Sequence, residues 1–187
     1  MTRPWMIDEL AYAGFEHLDP AFVAGFDRKQ GYPDPAEDLA SLREHGIDRG
    51  STVVDLGAGT GRFALAVAPQ VARVVAVDVS PAMLAVIGER VAQAGLSNVE
   101  CVRGGFLSYE HAGPPADAVF TRNALHQLPD FWKALALDRI AVFDLFKRVG
   151  CKARDFGRQY VLFIRLSEYL DAEHQNVFPF ALDPHSR

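Results

Sequence analysis

The residues best suited to chemistry lie between positions 52 and 64, where Asp55 is followed by Gly57, Ala58, Gly59, Thr60 and Gly61. The apolar pair Val53-Val54 precedes them, and the apolar-periodic Phe63, Leu65 and Val67 follow. That order reads as strand, tight loop, helix. Glycine allows positive φ and close backbone approach, and a loop that feeds a helix N-terminus presents unpaired N–H groups to an anion. The expectation is a nucleotide-type cradle. Asp78 closes the apolar run Val74-Val75-Ala76-Val77, seventeen positions after Gly61. A carboxylate there can accept both hydroxyls of a ribose. Its competing role, capping the next helix, is already taken by Ser80 with Pro81 at the first helical position. A histidine, whose proton affinity lies nearest neutrality, suits a general base, and His126 is considered for that role. The competing reading is a surface histidine between strand and helix.

The glycine spacing separates two cofactor classes. A dinucleotide fingerprint is G-x-G-x-x-G, and its third glycine would fall on Arg62, where a long side chain obstructs close helix–strand packing. The observed spacing is G-x-G-x-G. Preceded by Val-Val-Asp-Leu, it resembles motif I of the class I S-adenosylmethionine-dependent methyltransferases. The resemblance implies S-adenosylmethionine as cofactor, with Gly57, Ala58, Gly59 and Gly61, and Thr60 in the same loop, against its methionine portion. It further implies that Asp55 orients the amino group, Asp78 holds the ribose, and Val79 and Met83 line the adenine pocket. After the third strand the family carries an acidic residue that accepts from the adenine amine. Gly105 stands there, followed by Phe106, so a loss of about 1 kcal/mol is expected for the missing hydrogen bond. Asn123 matches the polar residue at the methionine end, and His126 the turn facing the acceptor.

These groups need a scaffold. The fold class expected is α/β: a three-layer αβα Rossmann-like sandwich, mostly parallel and twisted, with a C-terminal antiparallel strand and an N-terminal helical lid. One domain spans 1–187, divided into a lid (1–46), a core (47–170) and a tail (171–187). Residues 2–31 read as two short helices separated by Asp19-Pro20, rich in aromatics including Trp5 and Tyr32, with Tyr12, Phe26 and Asp27 as residues that fold over the cofactor. Asp34-Pro35-Ala36-Glu37 has capping-box spacing and opens a helix ending at His45 and Gly46, where His45 meets the helix dipole. Strands are expected at 73–78, 98–103 and 116–122, and a helix at 81–95. Asp130 caps a long amphipathic helix running from Phe131 to Gly150 in place of the family's Pro-Gly-Gly loop. Strands at 151–156 and 159–166 then pair antiparallel. Either the first of them fills a fifth slot in the sheet, or an internal piece of a longer ancestor is absent, and the second alternative is preferred.

The chain has 187 residues, 49% hydrophobic and 23% charged, with formal net charge −5. Such a composition supports one globular core. Its acidity argues against a nucleic-acid partner. Cys101 and Cys151 lack metal spacing and read as buried or half-buried thiols. Asp8 and Glu9 interrupt any apolar leader, and no apolar run of membrane-spanning length occurs, so a cytoplasmic protein without a membrane partner is expected. The reading is methyl transfer to a small-molecule acceptor by in-line displacement, with a homodimer left open. Competing with it are a non-catalytic protein that binds S-adenosylmethionine or S-adenosylhomocysteine and, more weakly, a nucleotide-linked dehydrogenase.

Overall fold

A computed structural model describes residues 6–31, 34–142, 150–156 and 159–165. Four parallel strands carry the site: β1 (Thr52–Leu56), β2 (Arg73–Asp78), β3 (Val99–Arg103) and β4 (Ala118–Arg122), in spatial order β3-β2-β1-β4. β1 pairs with both neighbours, setting Val54 opposite Val75 and Val119. Successive residues of a strand point to opposite faces, so each central strand feeds two cores. Val53, Val74 and Ala118 pack on one side with Leu42, Phe63, Val67 and Ile87; Val54, Val75 and Val119 pack on the other with Leu107, Leu125, Ala136 and Ile140. This accounts for the near-continuous apolar runs of β1 and β2, which are covered on both faces.

Helices α5 (Ala36–Glu44), α6 (Arg62–Val67) and α7 (Pro81–Gln93) cover the first face, and α8 (Asp130–Val142) lies over the second. Ser80 Oγ accepts from Met83 N and Pro81 occupies the first turn of α7. Asp34 Oδ1 accepts from Ala36 N, but α5 begins at Ala36 with no side-chain cap of its own, so the capping box is not formed as spaced. His45 lies just past α5, its Nδ1 2.7 Å from the Ser41 carbonyl.

The N-terminal region holds four one-turn helices where two were expected: α1 (Glu9–Tyr12), α2 (Phe15–Leu18), α3 (Pro20–Val23) and α4 (Phe26–Lys29). Gly14 at φ 73° separates α1 from α2, and Gly25 divides α3 from α4. Asp19 caps α3 by accepting from Ala21 N, with Pro20 at its start. The lid packs on α7, and Ser80 Oγ donates to the His17 carbonyl at 2.5 Å.

Beyond β4 the ladder continues with β6 (Gln159–Arg165), antiparallel to β4, and β5 (Gly150–Phe156), antiparallel to β6 at the edge. The second strand of the pair therefore occupies the slot beside β4, which removes the alternative that put the first strand there. Cys101 is exposed, contrary to expectation, because β3 is an edge strand whose residues are largely uncovered. The expected extension of the α8 helix through 143–149, the tail at 171–187, the Cys151 thiol, Trp5 and Tyr32 lie outside the described residues. No helix among the described residues is long and apolar enough to cross a membrane.

Candidate cofactor-binding site

One cavity of about 530 Å³ opens at the C-terminal ends of β1, β2 and β4. That edge is where ligands bind in open α/β sheets, and the volume suits a small molecule. The cavity lining includes Asp55, Gly57, Ala58, Gly59, Thr60, Asp78, Val79, Met83, Gly105, Phe106, Asn123 and His126. Of the residues singled out in the sequence, Gly61 does not line it. A Cβ on Gly61 would lie 2.9 Å from Leu65 Cδ1 and 3.0 Å from Ile87 Cγ1, so this glycine serves the packing of α6 on α7.

The loop itself also differs from expectation. The amides of Gly57 and Ala58 both donate to the Val77 carbonyl, at 2.9 and 3.0 Å, and Gly61 N donates to the Ala58 carbonyl. Gly59 N donates to Asp78 Oδ2 at 2.8 Å. These four amides are engaged within the protein and form no anion nest. The cradle is made by missing side chains: Gly59, at φ 57°, has nothing within 4 Å of where a Cβ would stand. A dinucleotide's pyrophosphate needs the free amides; a ligand without phosphate does not.

Two buried carboxyl groups flank the loop. Asp55 is 2% exposed, and Oδ2 has no hydrogen-bond partner. Burial, followed by the nearby Asp78 charge, pushes its pKa up to about 8, against an opposing hydrogen bond from the Ala64 amide. Asp78 is also raised by burial, partly offset by N–H groups of Ser80 and Gly59. Asp78 Oδ2 accepts from Gly59 N and Oδ1 from Ser80 N, the Val79 amide adds a third interaction, and a carboxylate with four acceptor sites keeps capacity for a ligand hydroxyl. A buried acid with an orphaned oxygen fits a cationic donor such as an α-ammonium group, and the paired oxygens of Asp78 fit a ribose.

The opposite wall is polar and comes from β4 and the lid. Asn123, exposed at φ 55°, is the one non-glycine residue with positive φ among the described residues. Asparagine tolerates this conformation, which turns the chain from β4 toward the 3-10 turn Leu125–Gln127. His126 is exposed on that turn; burial, then Lys133 and His17, lower its pKa, which favours the neutral ring. Gln127 Nε2 lies 3.1 Å from His17 Nδ1.

Of the residues lining the cavity, Asp38, Arg122 and Glu9 carry no sequence signal that singles them out as site residues. Asp38 of α5 pairs with Arg122 at 2.6 Å, and burial raises its pKa despite the guanidinium. Asp27, a lid candidate from the sequence, accepts from Thr60 Oγ1 at 2.5 Å and pairs with Arg90 at 2.7 Å, while Arg90 Nη1 donates to the Thr60 carbonyl. Glu9 was a leader-breaking charge in the sequence. It is 8% exposed, lines the cavity, and accepts from Leu107 N at 3.1 Å and Ser108 Oγ at 2.7 Å.

The methyltransferase-domain family matches residues 53–142, the stretch that builds β1 to α8. Among solved structures, the YcgJ protein of Bacillus subtilis is 26% identical over 62% of this chain and 48% of its own, with TM-score 0.53. A protein of Galdieria sulphuraria described as a sarcosine dimethylglycine methyltransferase is 28% identical over 63% of this chain and 44% of its own, with TM-score 0.54. A S-adenosylmethionine-dependent methyltransferase of Aquifex aeolicus, 18% identical, shares the fold over 80% of this chain and 99% of its own, with TM-score 0.51. The chain thus spans less than half the length of the first two. No curated protein matches it. Taken together, residues 53–142 match the methyltransferase-domain family and share the Rossmann-like fold of class I, S-adenosylmethionine-dependent methyltransferases.

Proposed function

We propose that this protein binds S-adenosylmethionine in the described cavity and transfers its methyl group to a small-molecule acceptor. The observation that carries the reading is the pairing of Asp55 and Asp78 across a loop that leaves open space above Gly59. Asp78 would hold the ribose hydroxyls, and Asp55 the α-ammonium group. Val79, Met83 and Phe106 would enclose the adenine, and Asn123 would meet the methionine end. Bound S-adenosylmethionine supplies an electrophilic sulfonium methyl. The chain's contribution is to align the acceptor with that methyl and to exclude water, so positioning accounts for much of the acceleration.

His126 stands on the wall facing the acceptor space. As a neutral imidazole it takes the acceptor's proton when the nucleophile is weakly acidic. The cavity favours a small molecule by its volume, and the net charge of −5 disfavours a nucleic-acid backbone. The test is calorimetric titration with S-adenosylmethionine, followed by a screen of candidate amines and hydroxyl compounds for S-adenosylhomocysteine release. Micromolar binding with acceptor-dependent release is expected. Binding without release on any acceptor would leave a non-catalytic binding protein. With an acceptor found, His126→Ala should lower kcat about a hundredfold or more while leaving cofactor affinity unchanged; undiminished turnover would remove the base role.

A further inference from the structure

We propose that Glu9, carried by the lid, is the group that reads the base of the bound nucleoside and selects adenine by its amine. The inference rests on the proposed occupancy of the cavity by S-adenosylmethionine. Once Asp78 holds the sugar, the base lies beyond it, over Val79 and toward Gly105 and Phe106. Glu9 arrives at that place from the far side of the chain. A Cβ on Gly105 would collide with Glu9 Oε1 and would stand 2.6 Å from Glu9 Cδ and 2.7 Å from Val79 Cγ1. Gly105 is therefore the residue that makes room for the Glu9 carboxylate, which takes the space that a side chain at position 105 would fill.

The carboxylate is held for recognition. Leu107 N and Ser108 Oγ each donate to one of its oxygens, and Ser108 Oγ itself accepts from Gly105 N at 2.9 Å. Two of the four lone-pair directions are used, which leaves acceptor capacity on a side chain that lines the cavity. An acceptor-only group satisfies the exocyclic amine of adenine. It repels the carbonyl oxygen that hypoxanthine or guanine presents at the same ring position. The affinity loss expected from the glycine at 105 is thereby made good from the lid, and recognition of the base becomes conditional on lid closure.

The test uses S-adenosylhomocysteine and S-inosylhomocysteine, titrated by calorimetry into the full chain; they differ at one edge of the base, where the amine and bare N1 of adenine become a carbonyl and an N1–H. Wild type is expected to prefer the adenine compound by about tenfold or more, the worth of a hydrogen bond to a charged group. Glu9→Gln, whose amide can donate to the carbonyl, should bring the ratio to within about threefold of unity. A Glu9 that only fastens the lid would weaken both ligands by one common factor, so an unchanged ratio in Glu9→Gln overturns the assignment. Thermal unfolding of the variant checks its fold. If the variant does not fold, the wild-type ratio decides alone: discrimination below about twofold, far under a charged hydrogen bond, sinks the proposal. Failure of wild type to bind S-adenosylhomocysteine at all would instead remove the cofactor reading and this inference with it.

Discussion

Asp55 is buried with one oxygen unpaired and a pKa of about 8, so at neutral pH the folded protein holds its proton. The unfolded chain releases that proton near the ordinary aspartate value of 3.8. Between those values the folded state binds more protons, so this group's contribution to stability falls as pH rises, by up to about 1.4 kcal/mol per unit. Asp55→Asn removes that slope. Urea unfolding at pH 5 and pH 8 should show the variant gaining on wild type at the higher pH; parallel profiles would refute the raised pKa. The glycines divide in the same way. Gly59→Ala should cost about 1 kcal/mol for its left-handed backbone, yet weaken S-adenosylhomocysteine binding well over tenfold by filling open space. Gly61→Ala should cost about 1–3 kcal/mol more in stability through Leu65 and Ile87. The glycine string and Asp78 were legible because their chemistry is local, set by neighbours within a few positions. Glu9 was not, since its partners Leu107 and Ser108 lie about a hundred positions away and only folding brings them together.

The lid is fastened through its helices. Asp27 of α4 binds Thr60 and Arg90 at once, so Asp27→Ala strands a buried hydroxyl and a guanidinium. Hydrogen exchange across residues 6–31 should accelerate in that variant, with a stability loss of about 1–3 kcal/mol. Unchanged exchange would show that the lid is held elsewhere. β2 was legible to the residue because burial on both faces writes an unbroken apolar run from Val74 to Val77. The bounds of the lid's helices were not: its glycines cut two expected helices into four, and a single turn leaves too little periodicity to read. The position of β6 beside β4 was equally hidden, since pairing order depends on contacts between distant strands.

At the scale of the whole molecule, the cavity exists only where lid and sheet meet. A ligand that binds this folded arrangement stabilises it by mass action. S-adenosylhomocysteine at a hundred times its dissociation constant should add about 2.7 kcal/mol and raise the melting temperature by about 5–10 °C. No shift in a thermal scan would refute binding at this site. The sequence could place the sheet's ligand edge and, through the resemblance, an N-terminal lid, but it could not show which contacts fasten that lid. The roof is latched at three separated points, Glu9 on Leu107 and Ser108, Asp27 on Thr60 and Arg90, and His17 on Ser80. On the proposed reading, product that leaves by the lid side must break these contacts, a motion that drags the N-terminal segment through solvent. Steady-state turnover should therefore fall as sucrose raises the viscosity of the medium, while the rate of a single pre-loaded turnover stays constant.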